Sequence, residues 1–375
     1  MKRDTGYWLL TMALLLGMVL SACAAPSKPA PAPAPERQAT GTPAAPATQL
    51  TDEQRLIEGA KKEGEVNMWV VTWGPQRREV EQLFEAKYPF IKIKRWDGVL
   101  NEGIIARFIE ESKAGVNAAD MFYLSKNLSD ARAAGLLAEY DYPTKGWPQQ
   151  PNHKSWMNLV VGGHVAIYNR ELVSPAEAPK TYDDMKNPKW RGKTMLSNSA
   201  SDAPFRYAYM WREGDKLNWE KAESYWTEVV SNTKPRSMAG MTTLIQLLAA
   251  GEIPLLPNLA VGPFFNFYFK GAPVALVPLG QMPGNAFSIA IAKNAPHPNA
   301  ARLWANFLAT PEAQIIISET QGNPPLSPEV SGKSRLKQLL TQMGAEPLTI
   351  PDEFWTVENI GRSQKFWATL LGIRG

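Results

Sequence analysis

A single cysteine, Cys23, stands in the 375 residues, so no internal disulfide can form and no thiolate zinc site can be built. Imidazole is almost as scarce. His153, His164 and His297 are the whole supply, and none sits at a carboxylate-to-histidine spacing typical of a metal site, so each reads as a structural or surface group. The sequence lacks a Gly-x-Ser-x-Gly elbow, a His-Glu-x-x-His pair and a cysteine in a catalytic setting, which argues against an enzyme and sets aside an extracellular hydrolase. Charge of one sign is also missing: 40 Lys and Arg face 36 Asp and Glu for a net +4, with no long basic run, so nucleic acid is not expected as a partner. After residue 23 no apolar run reaches the length of a membrane-spanning helix.

What is present begins with Lys2 and Arg3, followed by an apolar run from Trp8 to Leu20. The run is short for a membrane span and fits the core of a secretory signal. It ends in Leu20-Ser21-Ala22-Cys23, a large-small-small-Cys pattern that resembles a bacterial lipobox. Residues 1–22 are thus expected to be a removed signal peptide, with Cys23 acylated and holding the chain to a membrane surface. Ala24 does not decide which membrane: lipid anchoring on the outer face of the cytoplasmic membrane or within the periplasm is the expectation. From Ala24 to Gln49 the chain is Pro, Ala, Thr and Ser with almost no large apolar residue, a composition suited to a semi-extended spacer. Residues 23–50 are read as lipidated cysteine plus linker.

The folded body starts at Thr51, a plausible N-cap for a helix with Leu56, Ile57 and Ala60 on one face and Gly64 as its stop. Apolar and β-branched runs then alternate with segments of helical spacing: strand at Val66–Thr72, helix at Glu79–Tyr88, strand at Ile91–Trp96, helix at Asn101–Lys113, strand at Ala119–Leu124. Alternation of this kind predicts doubly wound α/β sheets with the ligand crevice beyond the carboxyl ends of the strands. Val160–Asn169 is a further strand, with Gly162 and Gly163 allowing a bend or crossing between lobes. A second βα series follows: strand Thr194–Ser197, a helix carrying Tyr207, Met210 and Trp211, helices Trp219–Ser231 and Thr242–Ala250, and strand Ile253–Leu256 with Asn258–Pro263 as its exit loop. Pro283-Gly284 then precede a strand at Ala286–Ala292, and helices follow at Pro298–Ala309 and Pro311–Ser318.

Several short stretches, in order over about 270 residues, carry a family resemblance: Leu56 to Gly64, Ala119-Asp120-Met121-Phe122, Ala134 to Leu137, Tyr168-Asn169, Pro179 to Asp184, Pro188 to Lys193, Ala250 to Ile253 and Ala305 to Ala309. The chain resembles the extracellular solute-binding proteins of ABC importers, in the group that includes the periplasmic ferric-ion-binding proteins. The resemblance implies a two-lobed periplasmic-binding-protein-like (type II) fold whose lobes are joined by hinge strands and close on a solute. It places one lobe at 51–158 plus about 284–335, and the other at about 159–283 plus 336–375. The implied partners are a small-molecule solute and an ABC permease with its ATPase, and the expected state is a monomer. A sensory binding lipoprotein that hands ligand occupancy to a receptor would show the same sequence.

By the resemblance, the ligand-binding positions are Thr72, Trp73, Ser125, Lys126, Asn198, Ser199, Ala200, Ser201, Met241, Thr242, Asn258 and Val261. The family's iron ligands are not matched. Val261 and Gly262 occupy the places of an adjacent tyrosine pair, and Trp73 and Ser125 replace a histidine and a glutamate, so no metal and no cofactor are expected. The small polar run Asn198 to Ser201 before a helix is suited to an anion. The expected solute is accordingly a small organic anion of carboxylate or phosphate type, gripped at Ser199 to Ser201 and stacked on Trp73. Ferric ion is the alternative. The tryptophans at 211, 219, 226, 355 and 367 are expected to pack, and the stretch from Glu346 to Gly375 to form a helix and tail against the second lobe.

Overall fold

The computed structural model describes residues 50–71, 78–98, 101–148, 150–151 and 153–373. Cys23, the signal-like segment, the linker up to residue 49, Thr72 and Trp73 lie outside these residues. Thr51 caps the first helix as its sequence asks. Its hydroxyl accepts from Gln54 N–H while the Gln54 side chain accepts from Thr51 N–H, and Gly64 ends the helix at φ 76°.

The elements run α1 Asp52–Glu63, β1 Glu65–Val71, α2 Arg78–Lys87, β2 Lys92–Gly98, α3 Asn101–Lys113, β3 Met121–Leu124, α4 Leu128–Ala133 and β4 Met157–Asn169. The second series is α5 Tyr182–Met185, β5 Met195–Ser197, α6 Ala203–Met210, α7 Trp219–Thr233, β6 Arg236–Met238, α8 Met241–Ala249, β7 Leu255–Ala260, α9 Val261–Tyr268 and β8 Val274–Leu276. The chain then returns through β9 Gly280–Ile291, α10 Pro298–Leu308, α11 Pro311–Gln321, α12 Pro328–Ser331, α13 Arg335–Gln342, β10 Ala345–Thr349 and α14 Val357–Leu371.

The near-continuous apolar run of β1 follows from burial on both faces. Val66, Met68 and Val70 enter a core with Phe84, Trp304 and Ile317, whereas Trp69 and Val71 enter a second core with Phe108, Phe122 and Leu128. Each such fully buried side chain contributes about 1.5–3 kcal/mol relative to exposure. The other lobe repeats the plan: Val165 and Ile167 of β4 face Leu256 and Phe264, and Ala166 and Tyr168 face Trp226 and Trp367. Strands β2, β1 and β3 are parallel neighbours, as are β5 and β6, and Thr194 bridges Leu255 in parallel so that β7 lies beside β5. This is the two-lobed, doubly wound arrangement expected from the sequence.

Two long strands join the lobes. β4 pairs antiparallel with β9 from Met157 to Gly163, then changes partner at His164 to pair with β7 and β8. β9 in turn pairs with β10 over Gly280–Gly284 and with β3 over Ser288–Ile291. At the crossing the backbones touch: a Cβ on Gly284 would stand 1.7 Å from Gly162 O, and one on Gly162 would stand 2.7 Å from the Phe287 ring. Pro283-Gly284, expected to precede a strand at Ala286–Ala292, lie within it; β9 runs through them because a residue without a side chain is what lets it pass β4.

Other departures are local. Strand β7 begins at Leu255 and extends through Asn258 to Ala260, and Val261 starts a helix, so the expected exit loop is strand plus helix. Strand β6 and helices α4, α5, α9, α12 and α13 were not anticipated, and β10 occupies the start of the stretch from Glu346 that was expected to be helix and tail, because it pairs with β9. The C-terminal helix α14 packs on the second lobe as expected, with Trp367 edge-on to Trp226 at 5.0 Å. His297 has a structural role: Asp120, fully buried, accepts from Asn67 N–H and His297 N–H at 2.6 Å each and lies 2.9 Å from His297 Nδ1. No helix among the described residues is long and apolar enough to cross a membrane.

Candidate functional site

The parallel strands of each lobe end together. Val71, Gly98 and Leu124 close β1, β2 and β3, while Ser197, Met238 and Ala260 close β5, β6 and β7. Ligand crevices in open α/β sheets lie outside such ends. On the first lobe the exit of β3 is held by the start of α3: Ser125 N–H donates to Asn101 Oδ1 at 3.0 Å, and Asn101 Nδ2 donates to Ser125 Oγ at 3.3 Å. On the second, Asn198 N–H donates to Met238 O at 2.9 Å, which sets the Asn198–Ser201 turn beside the start of α8, where Met241 is half-buried and Thr242 exposed.

A polar bridge connects these ends. Asp202, at the N-cap of α6, places Oδ2 3.0 Å from an Arg206 guanidinium nitrogen and 3.8 Å from Lys126 Nζ, and Lys126 is also 3.6 Å from Glu102. The same guanidinium donates to Asn285 Oδ1 at 2.7 Å, and Asn285 Nδ2 donates to Ser125 O at 3.0 Å. The chain of contacts thus runs from the second lobe through strand β9 to the first. Trp355 lies under it, its ring 4.9 Å from the Arg206 guanidinium carbon and 5.7 Å from Lys126 Nζ, at cation–π distance. Burial works against the Asp202 charge, yet Arg206 and Lys126 hold its carboxyl well below the usual range.

His164 completes the bridge. It is buried, its Nδ1 stands 2.9 Å from Asn258 Oδ1, and burial reinforced by Arg206 pushes its imidazole down to about 3. The ring is neutral at physiological pH and donates through Nδ1–H. Three buried polar atoms around this bridge have no partner among the described residues: Arg206 Nε, Asn258 Nδ2 and Asn198 Oδ1.

The structure brings Ser125, Lys126, Asn198 to Ser201 and Asn258 to the region where the lobes meet. It also alters some roles. Ala200 is fully buried and its N–H donates to Ser197 O at 3.1 Å, so that amide is not free to grip an anion. Ser199 Oγ is 2.8 Å from Ser197 Oγ, and Ser201 O accepts from the Ser363 hydroxyl. Val261 is fully buried in the core with Phe264 and Phe265, because the chain turns into α9 there, and so it faces no crevice. Sequence reasoning missed Asp202, Arg206, Asn285 and His164. The signals were present in part: Asp202 and Arg206 are spaced i, i+4 around an otherwise apolar helix, and Asn285 is an amide in a largely apolar strand.

Among the described residues no group of three His, Cys, Asp or Glu could hold a metal ion. A side chain on Gly262 would meet Gln321 O at 2.5 Å, so a phenol has no room there. Tyr268 is half-buried and packs on Phe264 with ring centroids 5.6 Å apart, against the second-lobe core.

Residues 82–339 match the family described as bacterial extracellular solute-binding protein. The Fe(3+)-binding periplasmic protein of Serratia marcescens is 23% identical over 226 residues, which is 56% of this chain and 60% of that relative. The chain therefore spans 60% of that relative's length, less than two thirds. Among solved structures, iron-bound HitA from Pseudomonas aeruginosa is similar with TM-score 0.67 and 17% identity, covering 82% of this chain and 99% of its own. A Trichodesmium protein (IdiA, FutA) in complex with iron and citrate ligands is similar with TM-score 0.65 and 22% identity, covering 82% and 99%.

Proposed function

The chain belongs to the bacterial extracellular solute-binding proteins, and from that premise we propose that it captures a small solute between its lobes and hands it to an ABC permease driven by an ATPase. The family and the fold are those of binding proteins and not of enzymes. Closure follows from a ligand that contacts both lobes, since only its differential contact energy can shift the population.

For the cargo we infer ferric iron brought in with its own small carboxylate ligands, in place of the metal-free organic anion favoured by the sequence. The names of the relatives support iron: one is Fe(3+)-binding, one was solved with iron, and one with iron and citrate. The observation that carries the chelate form is the donor set. The strand-end loops offer hydroxyls, amides and the cation Lys126, and the positions of a tyrosine pair hold Val261 and Gly262, at the second of which no phenol fits. Such a surface suits an anionic complex whose metal is already ligated. A metal-free carboxylate or phosphate is the second reading, supported by the cations Lys126 and Arg206 beside the Asn198–Ser201 turn.

The test is a thermal shift and calorimetric titration with ferric citrate, citrate alone and phosphate. Ferric citrate is expected to bind at least ten-fold more tightly than citrate, with weakened binding in a Ser199→Ala/Ser201→Ala variant. Equal binding of citrate or phosphate without iron would establish the second reading instead. A coloured phenolate–iron complex formed without any carboxylate would overturn the site.

On the same reading Cys23 is lipidated after removal of residues 1–22, residues 23–50 tether a monomer to the membrane, and the lobes are 51–158 with about 284–335, and about 159–283 with 336–375. Detergent partitioning of the full chain against a Cys23→Ser variant tests the anchor.

A further inference from the structure

A cavity of about 530 Å³ lies beside the crossing strands, at a size suited to a small organic ligand. Its floor is amide and hydroxyl: Asn158 of β4 with Asn285 and Ser288 of β9. Asn158 and Ser288 are hydrogen-bonded to each other at 2.6 Å. It shares Ser125, Lys126, Asn285 and Trp355 with the polar bridge between the lobes, but no residue of the Asn198–Ser201 turn, nor Met241, Thr242 or Asn258, lines it.

Its walls come from pieces far apart in sequence. Two indoles line it, Trp156 from the segment before β4 and Trp355 from the segment after β10. That second segment bridges the lobes: Ile350 N–H donates to Gly284 O at 2.7 Å, and Asp352 Oδ2 accepts from Ser129 N–H at 3.0 Å. The charges lining the cavity balance. Lys126 and Arg132 come from the α4 side, Asp352 and Glu353 from the bridging segment, and His153 is held neutral, pushed down to about 4 by burial and by Arg132. Arg132 and Glu353 are exposed and take part in no ion pair among the described residues, so each has its hydrogen-bonding capacity free.

We propose that this chamber is a second small-molecule site, and that it takes a zwitterionic amino acid with an aromatic side chain. The ring has Pro151, Pro351 and the small exposed parts of the two near-buried indoles as apolar walls, the carboxylate has Arg132 and Lys126, and the ammonium has Glu353 and Asp352. An isolated anion meets the two acids and an isolated cation meets the two bases, so a molecule carrying both charges is the one that satisfies the lining. Its occupant touches α4, both crossing strands and the bridging segment at once.

The experiment is calorimetry on the full chain with L-phenylalanine, and with three probes that each lack one part: phenylacetate, 2-phenylethylamine and L-alanine. L-Phenylalanine is expected to bind at least ten-fold more tightly than any of the three. Arg132→Gln and Glu353→Gln, both at exposed positions where folding is not at stake, are each expected to weaken it five-fold or more while leaving ferric citrate binding unchanged. Ser199→Ala/Ser201→Ala is expected to leave L-phenylalanine binding intact, which separates this site from the solute crevice whatever the cargo there. Absence of binding by L-phenylalanine, equal binding of a probe lacking one charge, or insensitivity to both Arg132→Gln and Glu353→Gln would overturn the proposal.

Discussion

Where β4 and β9 cross, Gly162, Gly163 and Gly284 bring backbone against backbone, and no side chain fits between them. Where Lys126 meets Asp202, the same two halves are joined by long charged side chains and an amide. The first junction is steric and indifferent to pH and salt; the second depends on every charge having its partner. A protein whose halves must move relative to each other gains from having both, since one fixes the pivot while the other can be remade around a ligand.

The largest expected effect is at the steric junction. Gly284→Ala places a Cβ 1.7 Å from a carbonyl oxygen, where only backbone movement could relieve it. A loss of about 3–5 kcal/mol in chemical denaturation is expected, in the range of severe core disruptions. A loss under about 1 kcal/mol would mean that the crossing is looser than drawn.

Next is Arg206→Met at the charged junction, which leaves Asp202 buried without its main counter-ion. About 3 kcal/mol should be lost, and adding Asp202→Asn should recover most of it, because the cost lies in the uncompensated charge. Strict additivity of the two substitutions would deny the coupling.

His164 tests the same junction by pH. Its folded pKa, about 3, lies below the unfolded value, so its stabilisation is complete above about pH 6.5 and is lost as pH falls toward 3. Comparing pH 7 with pH 4, His164→Gln should remove about 2–3 kcal/mol of the acid sensitivity of the parent. Parallel pH–stability curves would show that His164 is protonated without penalty.

The smallest effect has the opposite sign. Burial, with Asp130 and Glu353 adding to it, pushes Asp352 up to about 6 despite the Ser129 N–H. A raised folded pKa gives stability that is present below the unfolded value near 3.8 and lost as pH rises through about 6. Asp352→Asn keeps an acceptor for Ser129 and should raise stability at pH 8 by about 1–2 kcal/mol, with no gain at pH 4. An equal gain at both pH values would place the effect elsewhere.

Elements with their own local signals were legible in advance. Thr51 and Gly64 announce α1, Asn101–Lys113 was bounded to the residue, and the apolar run Val66–Thr72 read as a strand, which β1 matches as far as Val71. β10, Ala345–Thr349, contains a glutamate and a proline and is a strand only because β9 lies beside it. α9 opens Val261-Gly262-Pro263, which reads as a loop; Phe264 and Phe265 make it a helix by entering the core. The site divides the same way. Ser125 and Lys126 could be placed at a strand exit, whereas the Asp202 contact to Lys126 spans 76 positions and has no local trace. Val261 was misplaced because a one-element error turned a core residue into a loop residue.

The thirteen residues of β4 are buried throughout, and the strand takes its partners from residues 255–260, 274–276 and 280–291. In kinetic terms neither half can finish its sheet until the chain has been made as far as residue 291. Loop closure over more than a hundred residues then precedes the contacts that reward it, so folding is slow and late. The amides of β4 should be the last to exchange with solvent, and the two halves should unfold in a single transition, because melting either one strips the shared strand from the other.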